Sequence, residues 1–166
     1  MKFKIITPIV FLILILLIFS CGNEEKAIIK PDKVSIIGDI EKTIRNSIGW
    51  AGNKDTGLLY NTIANDPKYL EVHPEGKIVK GIKEFKKNEK FWLSPDFKAV
   101  GYNIEDLNIN LSESGTVAWF YCVLDDLNEW KGQPINWENT RWTGILEKRD
   151  NNWRIVQMHF SYVCEK

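Results

Sequence analysis

The chain predicts an α+β fold in which a curved antiparallel β-sheet wraps around N-terminal helices as an open cone. Three observations carry this expectation. Ile36, Ile37, Ile40, Ile44 and Ile48 recur every three to four residues, the spacing of one helix face. From Phe97 onward, four long runs rich in β-branched and aromatic residues are parted by turn signals. Helical segments come first and strands follow, the order of segregated layers rather than of alternating parallel units.

The first helix is expected from about Val34 to Trp50, with Glu41, Lys42, Arg45 and Asn46 on its polar face and Gly49 and Gly52 flanking its end. Asp55-Thr56 resembles the cap of a second short helix carrying Leu58, Leu59 and Ile63, which ends before Pro67. Tyr69 to Val72 and Lys77 to Lys80 read as short extended stretches around the turn His73-Pro74-Glu75-Gly76. A third helix is expected from Ile82 to Trp92, with Pro95 beyond it. Strands are expected over 97–111, 115–124, 139–148 and 153–163, with turns at Ser112-Glu113-Ser114-Gly115 and Asp150-Asn151-Asn152. A sheet this long must twist, and curling around the isoleucine stripe gives it a concave face.

The N-terminus carries a different signal. Lys2 and Lys4 precede an apolar run from Ile5 to Phe19, too short for a comfortable membrane span and broken by Pro8. Leu17-Ile18-Phe19-Ser20-Cys21 resembles a lipobox, which implies a signal peptide over 1–20 and acylation of Cys21. Residues 21–33 then read as an acylated cysteine and polar tether, and 34–166 as the domain. The expected location is the bacterial cell envelope, with the protein exported and held on a membrane by acyl chains, each buried methylene contributing about 0.8 kcal/mol.

Without Lys2 and Lys4 the chain keeps 20 basic against 22 acidic side chains, a formal charge of −2, so composition gives no electrostatic case for nucleic acid. Cys122 and Cys164 are expected as free thiols, since the meander places a strand between theirs and two strand spacings exceed disulfide reach. With no Cys-x-x-Cys pair and only His73 and His159 as histidines, neither a metal nor a cofactor is expected.

Thr140 to Ser161, closing as Trp153-Arg154-Ile155-Val156-Gln157-Met158-His159-Phe160-Ser161, is similar to the final hairpin of the SnoaL-like branch of nuclear transport factor 2-like proteins. Asp55 before an apolar helix, Glu71-Val72-His73-Pro74-Glu75-Gly76, and Gly81-Ile82-Lys83-Glu84-Phe85 resemble that family's earlier elements, so the likeness covers about 36–163. It implies a cone with a pocket between the sheet and the first helices, often with dimerisation through the convex face. It does not imply one activity.

Where related ketosteroid isomerases show Glu-Asp-Pro, this chain reads Val72-His73-Pro74, and no tyrosine stands between Val34 and Trp50. The isomerase constellation is therefore broken. His73 keeps the ability to move a proton near neutral pH. Strand alternation groups Ile155, Gln157, His159 and Ser161 on one face, and this set is assigned to the cavity together with His73 at its rim. Trp119, Tyr121, Val123 and Asp125 share another strand face and offer aromatic walls and a carboxylate, though core packing also explains them. Arg141 would attract an anion if it faced inward, and Trp50 stands near the expected mouth. The catalytic candidates are thus His73, His159 and Asp125, and the ligand-binding candidates Trp50, Trp119, Tyr121, Arg141, Gln157 and His159. Three readings follow: a binder of a small, partly apolar ligand; an enzyme using His73 or His159; and an interaction module whose cone is filled. A cavity above about 300 Å³ separates the first two from the third.

Overall fold

The computed structural model describes residues 32–163; the expected signal peptide, Cys21, most of the expected tether and Cys164 lie outside the described residues. Helix α1 (Lys33–Gly49) starts where the Asp32 carboxylate accepts the Ser35 N–H at 2.7 Å, satisfying one of the free donors of the first turn. Its stripe turns inward, with Ile40 and Ile44 fully buried and Ile36, Ile37 and Ile48 packed at the margin. A 3₁₀ turn (Trp50–Gly52) leads to α2 (Thr56–Tyr60), capped by Asp55, whose carboxylate accepts the Leu58 N–H at 2.9 Å.

Two short strands, β1 (Leu70–Val72) and β2 (Ile78–Lys80), form a hairpin. The expected third helix is broken into α3 (Ile82–Phe85), a 3₁₀ turn (Lys86–Asn88) and α4 (Glu89–Trp92). Gly81 opens it at φ 82°, where a Cβ would stand 3.0 Å from the Pro67 carbonyl oxygen, so the close approach needs glycine. The long strands are β3 (Phe97–Leu111), β4 (Val117–Trp130), β6 (Trp137–Arg149) and β7 (Asn152–Ser161), with the two-residue β5 (Gln133–Pro134) beside the end of β4.

The sheet runs β2-β1-β7-β6-β4-β3 and does not close. The long strands are antiparallel, as the sequence predicts, but β1 joins β7 in parallel, with Val72 opposite His159, making the sheet mixed. The β6–β7 turn is the two-residue loop Asp150-Asn151, both at positive φ, which matches the right-handed twist of the flanking strands.

One irregularity governs which side chains face the core. On β7, Leu146 pairs with Ile155 but Ile145 pairs with Gln157, leaving Val156 as an extra residue. The bulge falls where the outer neighbour of β7 changes. Ile155 exchanges hydrogen bonds of 2.8 Å with Thr62 and Ala64, whereas Gln157 onward lies beside β1. Ile155, Met158 and Phe160 consequently all point inward, with Trp153 also buried.

The core lies between α1 and the concave face, where Ala118, Phe120, Cys122 and Leu124 of β4 meet Trp142 and Leu146 of β6. Trp142 stacks on Phe160 at 5.5 Å and takes the Phe120 ring edge-on at 4.9 Å. Gly144 makes room for that ring, since a Cβ there would meet Phe120 Cε1 at 2.5 Å. Cys122 is a free thiol with no solvent exposure, and burial pushes its pKa up to about 12. Replacing Ile44 by aspartate would bury an unpaired charge beneath the sheet and is expected to cost several kcal/mol, on the order of the 4–5 kcal/mol typical of the most damaging substitutions, in urea unfolding of the domain.

Candidate functional site

Beyond the turn that ends α1, the cone is not filled. A cavity of about 450 Å³ lies between the helices and the concave face. Its apolar walls come from Ile48, Trp50, Leu59, Phe85, Met158 and Phe160, and its outer part from Phe91, Trp92, Phe97 and Ile135. Trp50 meets Trp92 edge-on at 5.6 Å, which fixes the wall contributed by the α1 end against α4.

Two polar groups interrupt these walls. On β1, Glu71 is buried, accepts the Tyr69 hydroxyl at 2.8 Å and stands 2.7 Å from His73 Nε2. Among the described residues, His73 Nε2 has no partner that meets hydrogen-bond geometry, and Glu71 is its nearest charged neighbour. On β4, Asp126 and Asn128 both line the cavity. Burial raises the Asp126 pKa above the usual aspartate value, with the Asn128 amide pulling weakly the other way. Asn128 is 8% exposed and its Oδ1 has no hydrogen-bond partner among the described residues.

Trp137 links the two groups. It pairs with Asp126 across the β4–β6 ladder and stands edge-on to the His73 ring at 5.3 Å and beside Phe160 at 5.0 Å. Glu75, in the turn after His73, latches this wall by accepting Trp137 Nε1 at 2.9 Å and the Tyr162 hydroxyl at 3.0 Å.

Of the residues the sequence singled out, His73 and Trp50 stand in the cavity wall. The others face away. Trp119, Tyr121 and Arg141 are exposed on the convex side, since β4 and β6 turn Ala118, Phe120, Cys122, Leu124, Trp142 and Leu146 inward instead. Gln157 and His159 are carried to the same outer side because the bulge at Val156 reverses the alternation that Ile155 begins. The two histidines therefore lie on opposite faces, and the shared pocket expected for them does not exist. Asp125 also lies outside the cavity, where its carboxylate accepts the Asn139 N–H at 2.8 Å and caps an irregular step of β6 at which Asn139 adopts φ 48°.

Asp126 and Asn128 were not singled out, although the inward set on β4 continues through them from Leu124. Glu71 was read only as part of a motif. The signal for all three is a polar residue at an inward strand position.

A folded-state pKa above the unfolded one favours the neutral acid, so stability from Asp126 is fully present below its ordinary pKa and is lost as pH rises through the folded value. Asp126→Asn keeps the shape without the charge. It is expected to raise Tm by about 2–5 °C at pH 7 and to change it little near pH 3.5, read by calorimetry across that range.

The SnoaL-like domain profile matches residues 40–165 of this chain. No curated protein matches it. Among solved structures, a candidate dehydratase of the nuclear transport factor 2-like family from Streptomyces avermitilis superposes with a TM-score of 0.68 at 13% identity, covering 81% of this chain and 100% of its own. A nuclear transport factor 2-like superfamily protein from Salmonella enterica serovar Typhimurium gives 0.65 at 17% identity, over 81% and 96%. A candidate calcium/calmodulin-dependent kinase II association domain from Exiguobacterium sibiricum gives 0.65 at 9% identity, over 82% and 98%. At such identities these likenesses speak to the fold alone. The profile spans α1 from Ile40 through the whole sheet, and with the curved sheet and N-terminal helices of the nuclear transport factor 2-like fold it establishes that the chain belongs to the SnoaL-like domain family.

Proposed function

We propose that this protein is an exported, lipid-anchored SnoaL-like domain that binds a small, largely apolar molecule in its cone. The observation that carries the reading is the cavity itself. About 450 Å³ of space has apolar and aromatic walls interrupted by Glu71, His73, Asp126 and Asn128, the combination of bulk desolvation and a few orienting polar groups that small-molecule sites use. Asn128 Oδ1 and His73 Nε2 lack aligned partners, so a ligand hydroxyl or amide reaching them after a small side-chain rotation would relieve a standing desolvation cost.

Binding is favoured over catalysis because of where the candidate groups stand. A proton-transfer enzyme needs a base, an acid and an orienting group around one reacting atom. His159 and Asp125 lie outside the cavity, so Glu71, His73 and Asp126 are the titratable groups left in a wall that is otherwise mostly apolar, a lining that suits binding. The envelope location and the acylation of Cys21 rest on the N-terminal sequence.

Native mass spectrometry of the protein purified from its own membrane is expected to show a retained small molecule. Ala51→Trp, which fills the cavity from the end of α1, is expected to abolish that adduct while the domain stays folded. An adduct that survives in the filled variant would remove the reading.

The convex face supports a second property, homodimerisation. Trp119, Tyr121 and Ile145 are 48%, 40% and 40% exposed, and Trp119 and Ile145 are cross-strand partners in the middle of the sheet. An apolar cluster of this kind marks a contact surface. Wild-type protein is expected to scatter as a dimer, and Trp119→Lys with Ile145→Lys as a monomer, at micromolar concentration in light scattering.

A further inference from the structure

We propose that the rim beside the cavity is a docking surface for a bilayer carrying acidic lipids, seating the domain with its cavity toward the membrane. Residues 77–90 contain six lysines, Lys77, Lys80, Lys83, Lys86, Lys87 and Lys90, against two glutamates, in a chain whose formal charge is zero. All six lysines are exposed. The glutamates are turned back onto the protein: Glu84 accepts the Lys80 backbone N–H at 2.9 Å, and Glu89 accepts the Tyr60 hydroxyl. The excess charge belongs to β2, which is the edge of the sheet, and to the broken helix that follows it.

Apolar side chains accompany these cations. Ile78, Phe91 and Leu93 are 48%, 40% and 44% exposed. Phe91 also lines the cavity and stacks on Trp130 at 4.8 Å, and Lys77, Asn88 and Trp92 share in the lining. Basic groups, exposed apolar groups and the outer part of the cavity therefore coincide. Such a surface suits a bilayer interface, where apolar side chains enter the boundary between headgroups and acyl chains while lysine ammonium groups reach phosphates. A second copy of the chain fits this rim poorly, because it would set the same lysines against each other. The convex face, with its exposed aromatics, serves that purpose better.

The proposed anchor keeps the domain close to its surface. From Cys21 to Asp32 the chain advances eleven residues, a reach of at most about 40 Å. The inference rests on the ligand-binding reading in one respect only: docking would let an amphiphile pass from the bilayer into the cavity without crossing water.

The test uses the full acylated chain in vesicles of phosphatidylcholine, with or without phosphatidylglycerol, whose brominated acyl chains quench nearby tryptophans such as Trp92 and Trp130. Quenching is expected to rise at least about two-fold on adding the acidic lipid, since each lysine near an anionic leaflet shifts the docking equilibrium about five-fold. Joint replacement Lys80→Gln, Lys83→Gln, Lys87→Gln and Lys90→Gln should return it to the zwitterionic level, and Leu93→Ser should lower it. All five positions are exposed, and unchanged thermal unfolding verifies that the variants fold. Equal quenching in both vesicle types, or quenching untouched by the lysine replacements, overturns the proposal. So does lysine-dependent binding to soluble heparin without quenching by the lipid. The anchor is read separately, as flotation with phosphatidylcholine vesicles that Cys21→Ser abolishes; its failure would leave lysine-dependent docking on acidic vesicles still measurable.

Discussion

Everything in this domain depends on how much of the sheet's concavity α1 fills. Ile40 and Ile44 join Phe120, Trp142, Leu146 and Ile155 in one buried core, and each buried isoleucine contributes about 1.5–3 kcal/mol. The helix ends at Gly49, before the concavity does. From there the chain supplies only a 3₁₀ turn and short helices, whose aromatics line the remaining space instead of filling it. Core and cavity are thus two lengths of one trough. A helix carrying its apolar stripe two turns further would leave a packed interior and no site.

Much of this architecture is legible in the sequence. The isoleucine stripe gives α1 to within a residue, and the β-branched run of Phe97–Leu111 gives β3 with its limits. Longer strands hide behind polar residues: β4 runs on to Trp130, past the expected end at Leu124, because Asp125, Asp126 and Asn128 stay in register with β3. The parallel pairing of β1 with β7 escapes sequence reading for a different reason. Three-residue strands have no periodicity of their own, and their placement is decided by the edge they find. The third helix breaks after Phe85, where the chain passes into a 3₁₀ turn over Lys86–Asn88.

The site was less legible, and side assignment is the reason. His73 could be found through its neighbour Pro74 and its place between two short strands, and Trp50 through its position at a helix end. The outer set on β4 was mistaken for the inner one because tryptophan and tyrosine look like pocket walls, whereas Ala118, Cys122 and Leu124 look like ordinary core. Alternation is a relative signal. It says which residues share a face and leaves the absolute side to tertiary contacts, here the approach of α1 to Ala118, Phe120, Cys122 and Leu124. On β7 even the relative signal fails, because Val156 is supernumerary and sequence does not distinguish a bulged valine from a paired one.

That single unpaired residue also bears on how such a domain diversifies. Because the strand period is two, pairing Val156 as an ordinary ladder residue would exchange the faces of everything that follows it, whereas deleting it would leave Met158 and Phe160 inward and Gln157 and His159 outward, in plain alternation with Ile155. The position lies where the neighbour of β7 changes, so the pairing on one side of it is uncoupled from the pairing on the other. A loss of one codon at this position would be absorbed by straightening the strand, leaving the chamber oily and the histidine on the outer wall. Related chains that differ by one residue at this point would keep the same lining, and it is alternation counted through the extra residue that would misassign every side chain beyond it.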